Sequence, residues 1–288
     1  TQVLETSLKE NLSMIADSIS YLKAKGMTVF FDAEHFFDGF KTNPDYALRC
    51  LAAASEAKCL VLCDTNGGTL PDEIAAAVKA ALKAVKVPLG IHAHNDSELA
   101  VANSLAALNA GAVQVQGTIN GYGERCGNAN LCSIIADLKL KMGIDCVTDK
   151  QLGKLTEIAH FVSEAANLAP DPFQPYIGTS AFSHKAGLHV HGVNKWAGSY
   201  QHIDPALVGN HQRSVVSELS GRGNIIYKAR ELGINLPPRG KEAQKLLEQI
   251  KLLESRGFQY ENAEASLELL LHRARPGYKP PFELVDFI

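Results

Sequence analysis

Pro88-Leu-Gly-Ile-His92-Ala-His94-Asn95-Asp96 is a short apolar run whose exit turns abruptly polar. Strand residues two apart point to the same face, so the imidazoles of His92 and His94 can reach a common ion. A lone histidine on a strand is more often a hydrogen-bonded core or surface residue. Two at this spacing argue for a ligand site, because burying both unpaired costs desolvation without compensation. Imidazole together with oxygen donors suits Mg²⁺, Mn²⁺ or Zn²⁺ alike.

Outward from this segment, the chain alternates apolar strands with amphipathic helices. Thr28-Val-Phe-Phe-Asp32 and Cys59-Leu-Val-Leu-Cys63 precede it as strands, and Val113-Gln-Val-Gln-Gly117 follows as a fourth. Helices are predicted from about Asn11 to Lys25, from Pro44 through Ala57 with proline at the first helical position, and after Pro71. Asp96 is the expected cap of a helix that stops at Gly111, and a further helix leads toward Met142. Each crossover needs a helix, so the strands are parallel.

Half of a closed barrel and an open doubly wound sheet share this βα rhythm. Polar residues at the end of every strand decide between them: Asp32 and Glu34, Asp64 and Thr65, His92 and His94, then Asn120. In a barrel such ends converge on one mouth, whereas an open sheet spreads them along a crevice. The predicted fold is therefore α/β, a partial (β/α)8 TIM barrel (its C-terminal half, about four strands) followed by a helical C-terminal subdomain.

Residues 1–168 make up the barrel portion, with a last helix from Asp149 to Asn167. Pro170-Asp-Pro172-Phe-Gln-Pro175 is a linker. Residues 176–288 carry helices near 214–232, 241–256 and 261–273. The opening Thr1-Gln-Val-Leu reads as chain arriving from an earlier strand, and Phe282-Glu-Leu-Val-Asp-Phe-Ile288 as a strand beginning. The expectation is a truncated barrel with chain continuing on both sides, a C-terminal regulatory domain included.

Composition narrows the function. With 46% hydrophobic and 20% charged residues and a net charge of -3, there is no basic surface for nucleic acid or an anionic membrane. No apolar run approaches the ~20 residues of a membrane span, and no signal peptide stands at the start. Cys50, Cys59, Cys63, Cys126, Cys132 and Cys146 form no C-x-x-C pair, so reduced thiols in the cytoplasm are expected.

Two further segments carry chemistry. Gly117-Thr-Ile-Asn-Gly-Tyr-Gly-Glu-Arg-Cys-Gly-Asn128 has the glycines for tight turns and close backbone approach to a ligand. Such loops often serve geometry alone; this one is expected to open a helix with Asn128, whose carbonyl oxygen could add a metal ligand. In Phe31-Asp32-Ala-Glu34, the two carboxylates share a strand face, where one could act as a general base or, equally, form a solvated ion pair or a cap.

Taken together, Asp32-Ala-Glu-His-Phe-Phe-Asp-Gly39, Cys63-Asp-Thr-Asn-Gly-Gly-Thr69, His92-Ala-His-Asn-Asp96 and Gly121-Tyr-Gly-Glu-Arg-Cys-Gly-Asn128 resemble the citramalate synthase branch of the 2-isopropylmalate synthase, homocitrate synthase and HMG-CoA lyase superfamily. Ser183-His-Lys-Ala-Gly-Leu-His189, Tyr200-Gln-His-Ile-Asp-Pro205 and Ser217-Glu-Leu-Ser-Gly-Arg222 are similar to the C-terminal subdomain of those synthases.

The resemblance implies a metal site at His92, His94 and Asn128, catalytic roles for Glu34, His189 and Tyr200, and substrate contacts at Asp32 and Thr65. It implies condensation of acetyl-CoA with a 2-oxo acid, pyruvate first and 2-oxoisovalerate as the alternative, by a homodimer whose C-terminal part reaches over a barrel mouth. A lyase of the HMG-CoA type and a catalytically incomplete fragment are the rivals. The tail beyond the linker argues against the lyase, and the missing first strand, with its aspartate ligand and arginine, argues for the fragment. Related lyases keep a catalytic cysteine in the Gly-rich loop within a different local pattern, so Cys126 is read as non-nucleophilic.

Overall fold

The computed structural model describes residues 5–184, 192, 195–214, 222–236, 241–260, 263–275 and 277–282. It divides into two compact units, Thr1–Ala169 and Pro170–Ile288. Among the described residues, no helix is long and apolar enough to cross a membrane. The six cysteines are unbridged.

The first unit is a parallel sheet in the order β1 (Phe30–Ala33), β2 (Cys59–Asp64), β3 (Leu89–Ala93), β4 (Gln114–Gln116). Register follows chain order: Asp32 lies beside Val61, Val61 beside Gly90, and Gly90 beside Gln114. The alternation of side chains separates two faces. Leu60, Leu62, Leu89 and Ile91 point one way and pack against Leu51, Ile74, Val78, Ala81 and Ala107 of the covering helices. Each such leucine or isoleucine, fully buried, contributes about 1.5–3 kcal/mol. The opposite face carries Asp32, the small cluster Cys59, Val61 and Cys63, and then Gly90, His92, Gln114 and Gln116.

That second face is concave. In a flat sheet, strands three places apart stand ~14 Å from each other, too far for their side chains to meet. Gln116 Nε2 of β4 nevertheless donates to Asp32 Oδ1 of β1 at 3.0 Å. The sheet must curl for this bond to close, as barrel strands do. A Cβ on Gly90 would come within 2.0 Å of Gln114 Oε1, so the glycine makes room for the Gln114 side chain across the curled face. The α/β expectation is met: these are consecutive βα units of a (β/α)8 barrel, followed by a helical portion.

Helix boundaries show what tertiary contacts changed. α1 (Leu8–Ala24) begins earlier than its apolar stripe, because the Ser7 side chain caps Glu10 N–H at 3.1 Å. α2 (Phe36–Thr42) has no counterpart in the sequence reading; its seven residues are too few for a periodic signal, and it holds through the burial of Phe36 and Phe37. α3 (Pro44–Ala53) and α4 (Pro71–Ala84) start at their prolines as expected. α5 (Ala100–Ala110) is not capped by Asp96; Asn95 Oδ1 accepts from Ala100 N–H at 3.1 Å instead. α6 (Leu131–Leu140) opens at Asn130, not Asn128. The helix expected from Asp149 to Asn167 is two, Asp149–Leu152 and Leu155–Ala165.

In the second unit, Ser183–His184 pairs in parallel with Arg213–Ser214. Helices Arg222–Glu231, Lys241–Glu254 and Glu264–Arg273 enclose Ile225, Ile234, Leu246, Ile250, Leu267 and Leu271. Lys228 is buried in this unit and bonds to Glu231 and Glu264. The Lys228 ammonium holds the Glu264 carboxyl below the usual glutamate range. A depressed carboxyl contributes stability above its unfolded pKa and loses it as pH falls through the folded value. Glu264→Gln is therefore expected to lower the urea midpoint of this unit at pH 7, with the gap to wild type closing on acidification. A gap that persists unchanged at pH 3 would refute the linkage.

Candidate active site

The polar strand ends do converge. Asp32, Glu34, Cys63, Thr65, His92 and His94 line one cleft of about 280 Å³ at the C-terminal edge of the sheet. The His92 and His94 rings lie 5.2 Å apart, centre to centre, tilted by 52°.

A chain of hydrogen bonds crosses this face. Asp32 Oδ1 accepts from Gln116 Nε2 at 3.0 Å, Gln116 Oε1 faces His92 Nδ1 at 2.8 Å, and His92 Nε2 faces Asn128 Nδ2 at 3.0 Å. On the neighbouring position, His94 Nδ1 is buried with no hydrogen-bond partner among the described residues. Burial holds the His94 pKa below the ordinary histidine value, and the Arg125 charge adds to this, which favours the neutral, ligating form of the ring. Burial pushes the Cys63 thiol up to about 12, with Asp32 and Glu34 contributing, so this cysteine stays protonated.

The Gly-rich loop is stapled onto the histidine strand rather than merely flanking it. Ala129 N–H donates to Ala93 O at 2.9 Å and Asn95 N–H to Gly127 O at 2.9 Å, an antiparallel bridge that sets Asn128 opposite His94. Arg125 fixes the loop from outside: it grips both carboxylate oxygens of Asp96, at 2.8 and 3.0 Å, and donates to Thr65 O at 2.7 Å. Thr65 Oγ1 accepts from His35 N–H at 2.7 Å, where the backbone is left-handed. Gly127 has φ +90°, and a Cβ there would lie 2.0 Å from Gly121 O. Gly127→Ala is expected to destabilise the first unit by about 1–3 kcal/mol and to displace Asn128, read as a lower thermal midpoint together with altered Asn128 and His94 amide shifts. Unchanged shifts would show that the bridge does not depend on this turn.

The residues present fit a divalent cation. Two rings sharing one ion at ~2.1 Å from a nitrogen of each stand about 5 Å apart, close to the separation seen. Asn128 as oriented presents its NH₂ to His92; rotation of the amide would present Oδ1, a hard donor. Among the described residues, no group of three or more His, Cys, Asp or Glu side chains forms a cation site by itself, so these two imidazoles need the amide or a ligand oxygen to complete it.

One expected residue turns away from the cleft. Asn120, anticipated at the mouth, sits in left-handed backbone and donates to Ala159 O at 2.8 Å and Ser163 Oγ at 3.0 Å, buttressing a helix instead. Tyr200 is half-exposed in the second unit, its ring against Gly192, and His189 lies outside the described residues. Two contributors were missed, Gln116 and Arg125. The alternation Gln114-Val-Gln116 was the available signal for the first, since it puts both amides on one strand face; nothing local marks the second.

Comparison with known proteins agrees with this architecture. Residues 1–162 match the HMGL-like family, and residues 176–257 match the homocitrate synthase post-HMGL domain-like family. The chain is 54% identical to the (R)-citramalate synthase of Geobacter sulfurreducens over 99% of its own length and 54% of that protein's. It is 54% identical to the (R)-citramalate synthase of Aquifex aeolicus, covering 95% of this chain and 52% of that one. Identity is 36% with a probable 2-isopropylmalate synthase of Methanopyrus kandleri, over 88% of this chain and 50% of that protein. The chain thus spans about half the length of these relatives. More than half of its residues match one family across the curled sheet and its mouth, and the chain belongs to the HMGL-like family, alongside the citramalate, 2-isopropylmalate and homocitrate synthases.

Proposed function

We propose that the full-length protein joins the methyl carbon of acetyl-CoA to the carbonyl carbon of pyruvate, giving citramalate and free CoA. The observation that carries this reading is the cleft itself, where two imidazoles and two carboxylates face one another at the strand ends. The names of its 54%-identical relatives support pyruvate as the oxo acid. In this reading residues 1–168 carry the cation site and Glu34, residues 176–288 form a helical subdomain that supplies His189 and Tyr200, and the protein works as a homodimer.

His92, His94 and Asn128 would hold a divalent cation (Mg²⁺, Mn²⁺ or Zn²⁺), which when bound polarises the oxo acid's carbonyl as a Lewis acid. Glu34 removes a proton from the acetyl methyl group, and the resulting carbon attacks the oxo acid's carbonyl carbon. His189 is the alternative base. The Thr65 and Asp32 side chains contact the oxo acid, and the Tyr200 hydroxyl donates to the oxygen on which charge develops. Water then cleaves the thioester, so that CoA leaves as the thiol and the new acid as the carboxylate.

The test is thiol release by the full-length protein with acetyl-CoA and Mn²⁺ or Mg²⁺. Pyruvate-dependent release is expected. Release with 2-oxoisovalerate and not with pyruvate would move the assignment to 2-isopropylmalate formation, and no release with either would overturn it.

A further inference from the structure

We propose that Gln116 is a positioning residue that fixes His92 as its Nδ1–H tautomer and so leaves Nε2 with a free electron pair facing Asn128. The consequence for metal affinity rests on the cation site proposed above; the tautomer does not.

The carboxylate of Asp32 accepts hydrogen bonds and donates none. The group 3.0 Å from Asp32 Oδ1 is therefore the NH₂ of Gln116, since the reversed amide would set oxygen against oxygen. That orientation turns Gln116 Oε1 toward His92 Nδ1 at 2.8 Å, and an oxygen there requires an N–H. In the neutral ring the other nitrogen then carries the lone pair. The far end is consistent with this: as oriented, Asn128 Nδ2 lies 3.0 Å from His92 Nε2 and donates to that lone pair.

Strand register makes the arrangement rigid. Gln116 is the backbone partner of His92 across the β3–β4 ladder, so both side chains rise from the same face. The far anchor, Asp32, stands on the opposite edge strand. An amide suits position 116 because it must donate to a carboxylate and accept from an imidazole at once. Leucine can do neither, and glutamate cannot donate when ionised.

The experiment is ¹⁵N–¹H imidazole correlation spectroscopy on the metal-free full-length protein, with Mn²⁺ titration of the same samples. Wild type is expected to show His92 as Nδ1–H. Gln116→Leu should shift the ring toward Nε2–H and weaken Mn²⁺ binding about 10–100-fold, the usual range for losing a partner behind a metal ligand. The double variant Asp32→Asn with Gln116→Glu rebuilds the chain with the charge moved by one position. It should restore both the tautomer and the affinity, which a merely structural role for Gln116 would not. If Gln116→Leu does not fold, Gln116→Met, which likewise offers no oxygen to His92 Nδ1, takes its place with the same expected shift.

An Nε2–H ring in wild type, or a tautomer and affinity indifferent to all three variants, would overturn the proposal. Wild type that shows Nδ1–H but binds no Mn²⁺ would uphold the tautomer and overturn the cation site instead.

Discussion

His92→Ala is expected to lower acetyl-CoA-dependent thiol release by the full-length protein at least ~10³-fold, because Lewis-acid stabilisation is worth several kcal/mol at about 1.4 kcal/mol per tenfold in rate. Bound metal, measured after dialysis against Mn²⁺, should fall with it. The fold should not. His92 borders the cleft rather than the packed helical face, so its loss leaves Gln116 Oε1 and Asn128 Nδ2 where water can replace the ring. Leu62 or Ile91, on the other side of the same sheet, would cost several kcal/mol when truncated to alanine. An alanine variant that keeps its metal and its rate would end the case for chemistry at this mouth.

The second large effect concerns Glu34. Glu34→Gln keeps shape and removes the proposed base, so kcat should drop by about 10²–10⁴ while KM for pyruvate and Mn²⁺ affinity hold. Exchange of the acetyl-CoA methyl protons with deuterated solvent should be lost in parallel, since both report the same proton removal. His189→Ala is the comparison that matters. If it abolishes exchange and Glu34→Gln does not, the base is His189 and the carboxylate in the cleft serves only to bind or orient. If neither variant slows exchange, both assignments fall.

The two histidines and the two carboxylates were legible in the sequence because strand alternation is a local rule. His92 and His94, or Asp32 and Glu34, share a face whatever the rest of the chain does. Asn120 misled for an equally physical reason: its left-handed backbone turns the side chain out of the strand direction and onto Ala159 and Ser163. Asp96 looked like a cap by its spacing, yet the bidentate grip of Arg125 claims its carboxylate.

From the order of residues alone came the succession of βα units, the parallel sheet they require, the helical character of the tail and the polar end of each strand. All of these rest on interactions between near neighbours. Which polar groups actually touch was decided by curvature and by a loop folding back. The Asp32–Gln116 bond joins the two edges of the sheet, and Asn128 meets His94 because the Gly-rich turn doubles over on itself. Such contacts depend on how far the sheet curls and where a glycine permits a reversal, and no periodicity in the chain encodes either distance.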